Sequence, residues 1–268
     1  MEDTLGDALK RLESASHGAP LGRAGWIMAR LDGRSFSKRT KGLVKPFDVR
    51  LHNAMMAATR FAMEDMDALC AFQQSDEITL LWGPIVEPSQ RAFGGRRDKW
   101  LSVLAAGASV ALLDALRHAN LTKMAEGLPH MDARVVGGLT FEQAASFVAW
   151  RAQDARRNGL TNAAHALAGH KALMRMDAMG KRALLEAAGT PFDGFPGPLR
   201  NGTLLTRVVE ERRLEENERA KIPAHKRPPV DATFLRSRIH EDSNTSLVHV
   251  DTCVELLGRL WTPPETED

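Results

Sequence analysis

The pattern of hydrophobic and polar positions over the first half of the chain predicts alternating strands and helices. Short apolar runs bounded by turn-forming residues predict strands near 25–31, 69–72, 78–82 and 133–136. Two intervening segments, beginning at Asp48 and at about residue 95, repeat apolar residues at helical spacing: Leu51, Met55, Ala58, Ala62, Met66 and Leu101, Leu104, Ala108, Leu112. The order β-α-β-β-α-β predicts an α+β protein of the ferredoxin-like, split βαβ type, with both helices on one face of an antiparallel sheet.

The second half of the chain has a different pattern. Alanine-rich segments predict helices at 141–156, 160–178 and 181–188. The Glu/Arg-rich run 210–221 and the proline-rich piece 222–230 predict a solvated arm, and 246–261 offers a final strand or helix. We therefore expect an α+β domain with an N-terminal extension at 1–139, and a helical region with a C-terminal arm at 140–268.

Composition narrows the class of protein. The 268 residues are 43% hydrophobic and 26% charged, which excludes intrinsic disorder, collagen-like repetition and a coiled coil for the whole chain. The net charge is only +2, so a nucleic-acid partner requires a local basic surface. With no Tyr and 6% aromatic residues, base stacking on exposed rings is not expected as the main mode of RNA binding.

Cysteine usage and apolar segments bear on the compartment. Cys70 and Cys253 form no CxxC or Cys/His pattern, which argues against a zinc site or a disulfide framework and favours a reducing cytoplasm. Residues 1–20 lack a hydrophobic signal core, and we expect no segment of about 18 apolar residues able to span a bilayer. The sequence therefore predicts a cytoplasmic protein without a membrane anchor.

Acidic residues stand at the predicted strand ends. Asp32 follows the first strand, and Asp76 with Glu77 lies at the hairpin between the second and third. Because the first and third strands of a ferredoxin-like sheet are neighbours, these carboxylates can converge and bind Mg²⁺, which takes one or two carboxylates together with nucleotide phosphates. The alternative is that these residues only cap and solvate turns.

Two basic clusters are candidates for binding phosphate. Arg96, Arg97 and Lys99 stand at a predicted helix N-terminus, where backbone N–H groups and the helix dipole favour a triphosphate. The helix segment 150–158 (WRAQDARRN) has a charge density suited to an RNA backbone, with Arg151, Arg156, Arg157 and Asn158 as candidate RNA contacts. For both clusters, and for Arg34 and Lys45, an ordinary solvated surface is the alternative.

Six short motifs occur in order between about residues 25 and 210. They are 30–36 (RLDGRSF), 45–48 (KPFD), 74–77 (QSDE), 96–102 (RRDKWLS), 150–162 and 200–205 (RNGTLL). Together they resemble the motifs of the tRNA-His guanylyltransferases and of the related guanylyltransferase-like polymerases, which add nucleotides in the 3′-to-5′ direction. A chance run of six ordered motifs is improbable.

The resemblance implies a polymerase-palm catalytic domain with assigned site residues. Asp32, the backbone carbonyl of Gly33 and Asp76 would hold two Mg²⁺ ions, and Glu77 would support that site. Arg96 and Lys99 would grip phosphates. The implied nucleotide contacts are Asp32, Gly33, Arg34, Ser35, Phe36, Ser37, Lys45, Ser75, Asp76, Arg96 and Lys99.

The resemblance also implies a reaction and partners. ATP activates a 5′-monophosphorylated tRNA, the 3′-hydroxyl of an incoming nucleotide such as GTP attacks the activated end, and pyrophosphate is then removed. The implied partners are tRNA and nucleoside triphosphates, and the family tends to form tetramers. Metal-assisted phosphoryl transfer suits the acidic residues independently.

Departures from the family pattern bear on the substrate. Ser37 stands where many members have His, Phe47 where they have Asn, and 156–162 (RRNGLTN) where they have His-Ile-Asn-Asn-Leu-Tyr-Asn. These differences favour the guanylyltransferase-like branch, which repairs 5′ ends by templated addition. The alternatives are dedicated guanylate addition to tRNA-His, an RNA-binding protein that has lost catalysis, and a nucleotide-cyclase-like palm enzyme.

Overall fold

A six-stranded antiparallel sheet lies at the centre of the computed structural model, which describes residues 18–87 and 90–262. The strands are β1 (Trp26–Gly33), β2 (Cys70–Gln74), β3 (Glu77–Trp82), β4 (Met131–Leu139), β5 (Thr203–Arg213) and β6 (Thr233–Asp242). Their order across the sheet is β4-β1-β3-β2-β5-β6.

Nine α-helices are formed within the described residues. They are α1 (Phe36–Arg39), α2 (Val49–Asp65), α3 (Arg97–His118), α4 (Thr122–Glu126), α5 (Phe141–Leu173), α6 (Ala178–Ala187), α7 (Gly197–Asn201), α8 (Glu216–Ala220) and α9 (Val250–Leu260). Short 3-10 turns lie at Ala92–Gly95, Phe192–Gly194 and Ala224–Lys226.

The predicted α+β, ferredoxin-like core is confirmed. The strands β1 to β4 lie in the order 4-1-3-2, and α2 and α3 pack together on one face of them. Asp48 caps α2 as expected, its carboxylate accepting from the Arg50 amide. Alternate β1 residues, Ile27, Ala29 and Leu31, face these helices because successive strand side chains point to opposite sides of a sheet.

The opposite face of the sheet is covered as well. Trp26 and Met28 of β1 pack with Phe72 of β2 against α5 and α9. Burial on both faces explains why the first strand is an unbroken apolar run in the sequence and does not alternate with polar residues. The helical region therefore completes the core from the other side.

The sheet extends beyond the β-α-β-β-α-β unit. β5 pairs with β2, and β6 pairs with β5 from Leu204↔Asp242 to Arg213↔Thr233. The expectation of a solvated arm at 210–221 was therefore wrong for its first residues, which form an exposed strand. The division of the chain at residue 139 stays a prediction, but strands from both sides of it share one sheet.

Two further boundaries differ from expectation. The helices predicted at 141–156 and 160–178 are one helix, α5. At Gly159 a Cβ would meet the Leu199 backbone, so glycine in this position permits α7 to pack closely against α5. α5 departs from helical geometry only at Gly169, whose φ is 75°. The uncertain segment 246–261 forms helix α9.

One helix of the described residues is long and apolar enough to cross a membrane by length and composition. It is α3, so the expectation that no such segment exists was wrong. Its inner face, which includes Trp100, Leu104 and Leu112, is buried in the core against the sheet. By itself this apolarity is the property expected of a core helix.

Candidate functional site

The ends of β1 and of the β2–β3 hairpin meet at one edge of the sheet. Asp32 is opposite Glu77 in the β1–β3 register, and the Gly33 amide donates to the Asp76 carbonyl at 3.0 Å. The strand continues through Asp32 to Gly33, two residues further than predicted, because both residues still pair with β4. The structure thus brings Asp32, Asp76 and Glu77 together.

The hairpin turn holds Asp76 in place. Gln74 ends β2 and Glu77 begins β3, so the turn consists of Ser75, with a φ of 54°, and Asp76. The Gln73 amide group donates to the Ser75 carbonyl at 2.9 Å. Burial raises the pKa of the Asp76 carboxyl, and the charges of Asp32 and Glu77 raise it further. A positive ion in this position would relieve that repulsion.

Glu77 lies between two arginines. Arg30 Nη2 is 2.8 Å from one carboxylate oxygen, and Arg151 Nη1 is 2.8 Å from the other. The same Arg30 nitrogen is 2.9 Å from Asp32 Oδ2. Glu77 is therefore placed to hold these guanidinium groups beside Asp32, which agrees with a supporting role for it.

Arg151 does not offer its charge to an RNA backbone. Its side chain is 3% exposed, with Nη2 2.6 Å from Asp154 in addition to the Glu77 contact. Its role in RNA binding stays a prediction, which this burial does not favour, because its guanidinium is engaged by Glu77 and Asp154 inside the protein. This pairing could not be read from the sequence, since Glu77 is 74 positions away.

The other candidate RNA contacts are more accessible. The Arg157 side chain is 68% exposed, and its guanidinium pairs with Asp154, three residues earlier in α5. Asn158 is exposed. Arg156 is partly buried, with Nη1 3.3 Å from Asn201 Oδ1. This part of α5 therefore presents one exposed basic side chain, which is paired with Asp154, and one that is held against α7.

A cavity of about 480 Å³ opens beside the Ser75–Asp76 turn. Phe36, Ser37 and Lys45 line it among the predicted nucleotide contacts, while Arg34 and Ser35 lie exposed at the end of β1. Glycine is required at position 33, between Asp32 and Arg34, because a Cβ there would overlap the buried Phe36 ring. The loop that follows Asp32 thus forms part of the cavity wall.

Arg96 and Lys99 lie elsewhere. α3 covers the face of the sheet that carries Leu31, whereas Asp32, the next residue, points to the other face. The start of α3 is also displaced from the acids: Gly95 accepts from the Leu21 amide, and Arg97 donates to Val135, which pairs with Ala29 and not with Asp32. Within one chain the structure does not bring Arg96 and Lys99 to the nucleotide cavity.

Sequence reasoning missed several residues that line the cavity. His52 on α2, Gln73 on β2 and both Asn162 and His165 on α5 reach it from three separated parts of the chain. The histidines have no metal-binding or catalytic spacing in the sequence. Among the described residues, no group of three or more His, Cys, Asp or Glu side chains is arranged to hold a metal ion, so a cation here would depend on two carboxylates, backbone oxygen and phosphate.

The sequence of this chain is similar to one protein family and to individual known proteins. The model of a family described as tRNAHis guanylyltransferase matches residues 7–137. An uncharacterized protein, R259, of Acanthamoeba polyphaga mimivirus is 29% identical over 63% of this chain, and the chain spans only 65% of that protein's length. A probable tRNA(His) guanylyltransferase of Drosophila melanogaster is 28% identical over 75% of this chain and 73% of its own.

Comparisons with solved structures agree on the fold. A bacterial tRNA(His) guanylyltransferase (Thg1)-like protein in complex with ATP has a TM-score of 0.74 at 24% identity, covering 96% of this chain and 99% of its own. A complex of such a protein with GTP has a TM-score of 0.70 at 23% identity with the same coverage. The tRNA(His) guanylyltransferase of Saccharomyces cerevisiae has a TM-score of 0.64 at 19% identity over 73% of this chain and 91% of its own.

Proposed function

Because the chain belongs to the tRNAHis guanylyltransferase family, we propose that it is a nucleotidyltransferase acting on the 5′ end of tRNA or of a tRNA-like RNA. It adds nucleotides in the 3′-to-5′ direction and depends on Mg²⁺. The observation that carries this proposal is that Asp76, which lies beside Asp32 at the edge of the sheet, lines the cavity of about 480 Å³. Nucleoside triphosphates, with ATP and GTP as the expected substrates, occupy that cavity.

The acidic edge of the sheet fits Mg²⁺. Asp76 is a partly buried carboxyl whose pKa is raised by burial, with Asp32 and Glu77 adding negative charge beside it. Asp32, Asp76 and the Gly33 carbonyl would hold the ions, because Mg²⁺ prefers few protein oxygens and completes its shell with phosphate and water. Bound there, Mg²⁺ supplies neutralisation of phosphate charge and activation of an attacking hydroxyl.

The protein's own groups orient the reactants. Arg30 lies 2.9 Å from Asp32 and is anchored to Glu77, so it provides a fixed positive charge next to the reacting phosphates. Lys45, on the cavity wall, provides a second positive charge. The 5′-monophosphate attacks ATP with release of pyrophosphate, and the 3′-hydroxyl of the incoming nucleotide then attacks the activated phosphorus with release of AMP.

RNA binds beside this site along the exposed part of α5. Arg157 and Asn158 are exposed there; Asn158 can contact phosphates directly, Arg157 contributes if it leaves Asp154, and Arg156 contributes if it leaves Asn201. We extend the proposal to a cytoplasmic protein that works as a homo-oligomer without a membrane partner. The arginines at 156 and 157 favour backbone contact over identity reading, which supports templated 5′-end repair as the form of the activity.

Dedicated guanylate addition to tRNA-His is the second candidate, and the descriptions of the family and of the Drosophila relative favour it. The two are separated by the RNA that is extended. Purified protein is incubated with labelled nucleotide, ATP, Mg²⁺ and a panel of 5′-truncated tRNAs, with Asp76→Asn as the matched control. Extension of truncated non-His tRNAs opposite the 3′ strand supports repair.

Addition of a single guanylate to tRNA-His alone supports the second candidate. Failure of every RNA to be extended by the wild-type protein, under conditions where it is folded, refutes both and returns the chain to a non-catalytic RNA-binding role. Nucleotide turnover that needs no RNA would instead indicate a cyclase-like enzyme.

A further inference from the structure

The inner wall of the cavity carries two polar side chains that none of the motifs assigns. His52 extends from α2 and Gln73 from β2. Gln73 is 1% exposed, and its amide nitrogen donates to the Ser75 carbonyl at 2.9 Å. Since Ser75 precedes Asp76, Gln73 connects the interior of the cavity to the turn that carries Asp76.

His52 is held in a defined orientation. Its ring lies 5.3 Å from the Phe47 ring, at an interplanar angle of 45°. Burial lowers the pKa of His52, and Arg60 lowers it further, while a side-chain interaction with Gln73 and the charge of Glu241 oppose this. An uncharged imidazole has one donor and one acceptor nitrogen. The Gln73 nitrogen is engaged by Ser75, so its oxygen is the group left to interact with His52. If one ring N–H donates to that oxygen, the other ring nitrogen is an acceptor.

The rest of the cavity suits a flat, aromatic ligand. Phe36, Leu43, Leu51 and Leu199 supply apolar walls, and Asp76 stands at the rim. A nucleoside triphosphate whose phosphates lie at Asp76 would therefore direct its base toward His52 and Phe47. A purine presents the larger face for contact with these walls.

We propose that His52 and Gln73 form the base-recognition pair of this cavity. The free ring nitrogen of His52 accepts a hydrogen bond from the amino group of a purine, and Gln73 fixes the ring and links it to the Ser75–Asp76 turn. This inference rests on the proposed function, since it assumes that the cavity takes the nucleotide. Adenine carries an amino group at position 6 and guanine carries one at position 2, and the test distinguishes them.

Equilibrium binding to the full chain, with Mg²⁺ and without RNA, tests the proposal. One arm compares ATP with purine riboside triphosphate, which lacks the 6-amino group, and the other compares GTP with inosine triphosphate, which lacks the 2-amino group. In at least one arm the wild-type protein should bind the amino-bearing nucleotide roughly 3- to 10-fold more tightly than its analogue. That arm identifies the base.

Variants show whether the preference belongs to this pair. His52→Ala should bind the amino-bearing nucleotide and its analogue equally. His52→Gln should recover part of the preference, because its amide oxygen accepts a hydrogen bond. Gln73→Met should lose the preference. Asn53→Ala, the exposed neighbour on the same helix, should keep it. A wild-type protein without preference in either arm, or a preference unchanged in His52→Ala, would overturn the inference.

The outcome is separable from that of the proposed function. Binding is measured without RNA, so lost base discrimination alongside intact 5′ extension would refute only the base-recognition pair. Intact discrimination without extension of any RNA would refute only the reaction. Circular dichroism of each variant establishes that it is folded before its affinities are compared.

Discussion

The Arg151 guanidinium lies 2.8 Å from the Glu77 carboxylate, joining the middle of α5 to the first residue of β3. Both groups are largely withdrawn from water, with side-chain exposures of 3% and 20%. Glu77 in turn holds Arg30, which reaches Asp32. The helical region is therefore coupled to the acidic edge of the sheet through a chain of opposite charges.

Arg151→Met should destabilise the protein by about 3 kcal/mol, because Glu77 and Asp154 lose the buried cation that they share and keep only the more exposed Arg30 and Arg157. Urea unfolding measures the change. The double variant Arg151→Met/Glu77→Gln should recover part of the loss, since it removes the unpaired charge. If the double variant is as unstable as the sum of the single ones, the two residues do not act as a pair.

Asp76→Asn should lower the rate of 5′ extension by about 100-fold or more, because it removes one of two carboxylates that hold Mg²⁺. In the absence of metal the same variant should be more stable, with Tm raised by about 1–4 °C, since burial and neighbouring charge disfavour the ionised carboxyl. Thermal unfolding in a chelator measures this. Mg²⁺ should stabilise the wild type more than the variant, and equal stabilisation of both would contradict the ligand assignment.

Asp48→Ala should lower the free energy of unfolding by about 1–2 kcal/mol, because the carboxylate caps α2 and accepts from the Val44 and Arg50 amides. Asp48→Asn, which keeps a capping oxygen, is the matched control and should lose less. Urea unfolding at neutral pH measures both.

The Asp48 contribution should depend on pH. The Arg50 side-chain hydrogen bond is the main cause that lowers the pKa of this carboxyl from 3.8 to about 2 in the folded protein. The stabilisation is therefore complete above the unfolded value of 3.8 and disappears as the pH falls through about 2. A stability difference between wild type and Asp48→Asn that stays constant across this interval would contradict the assignment.

Arg156→Ala/Arg157→Ala should weaken binding to His and non-His tRNAs about equally and reduce the slope of log affinity against log salt by roughly one per lost phosphate contact. Filter binding over a salt series measures both quantities. Lys171→Ala, an exposed cation beyond the Gly169 break in the same helix, should leave the slope unchanged. A loss confined to tRNA-His would instead mean that these arginines read identity.

The sequence by itself determined the β-α-β-β-α-β core and the positions of its acidic residues. Helical and strand periodicity are local properties. Asp48, Asp32 and Ser75–Asp76 lie at or near the ends of elements, where capping and turn formation depend only on neighbouring residues. β5 and β6 were missed because their outer halves carry polar side chains such as Glu210 to Arg213, and a strand exposed on both faces lacks the apolar alternation that reveals it.

Only the tertiary structure decided which side chains share the site. In the sequence Arg151 resembles a surface arginine, but in the structure its charge is buried between Glu77 and Asp154. His52 and Gln73 line the same cavity although they lie on different elements and form no sequence motif. Arg96 and Lys99 were separated from the acids because α3 covers the face of the sheet opposite to Asp32. Partners distant in the sequence are set by how whole elements pack, and the information for that packing is distributed over the entire core.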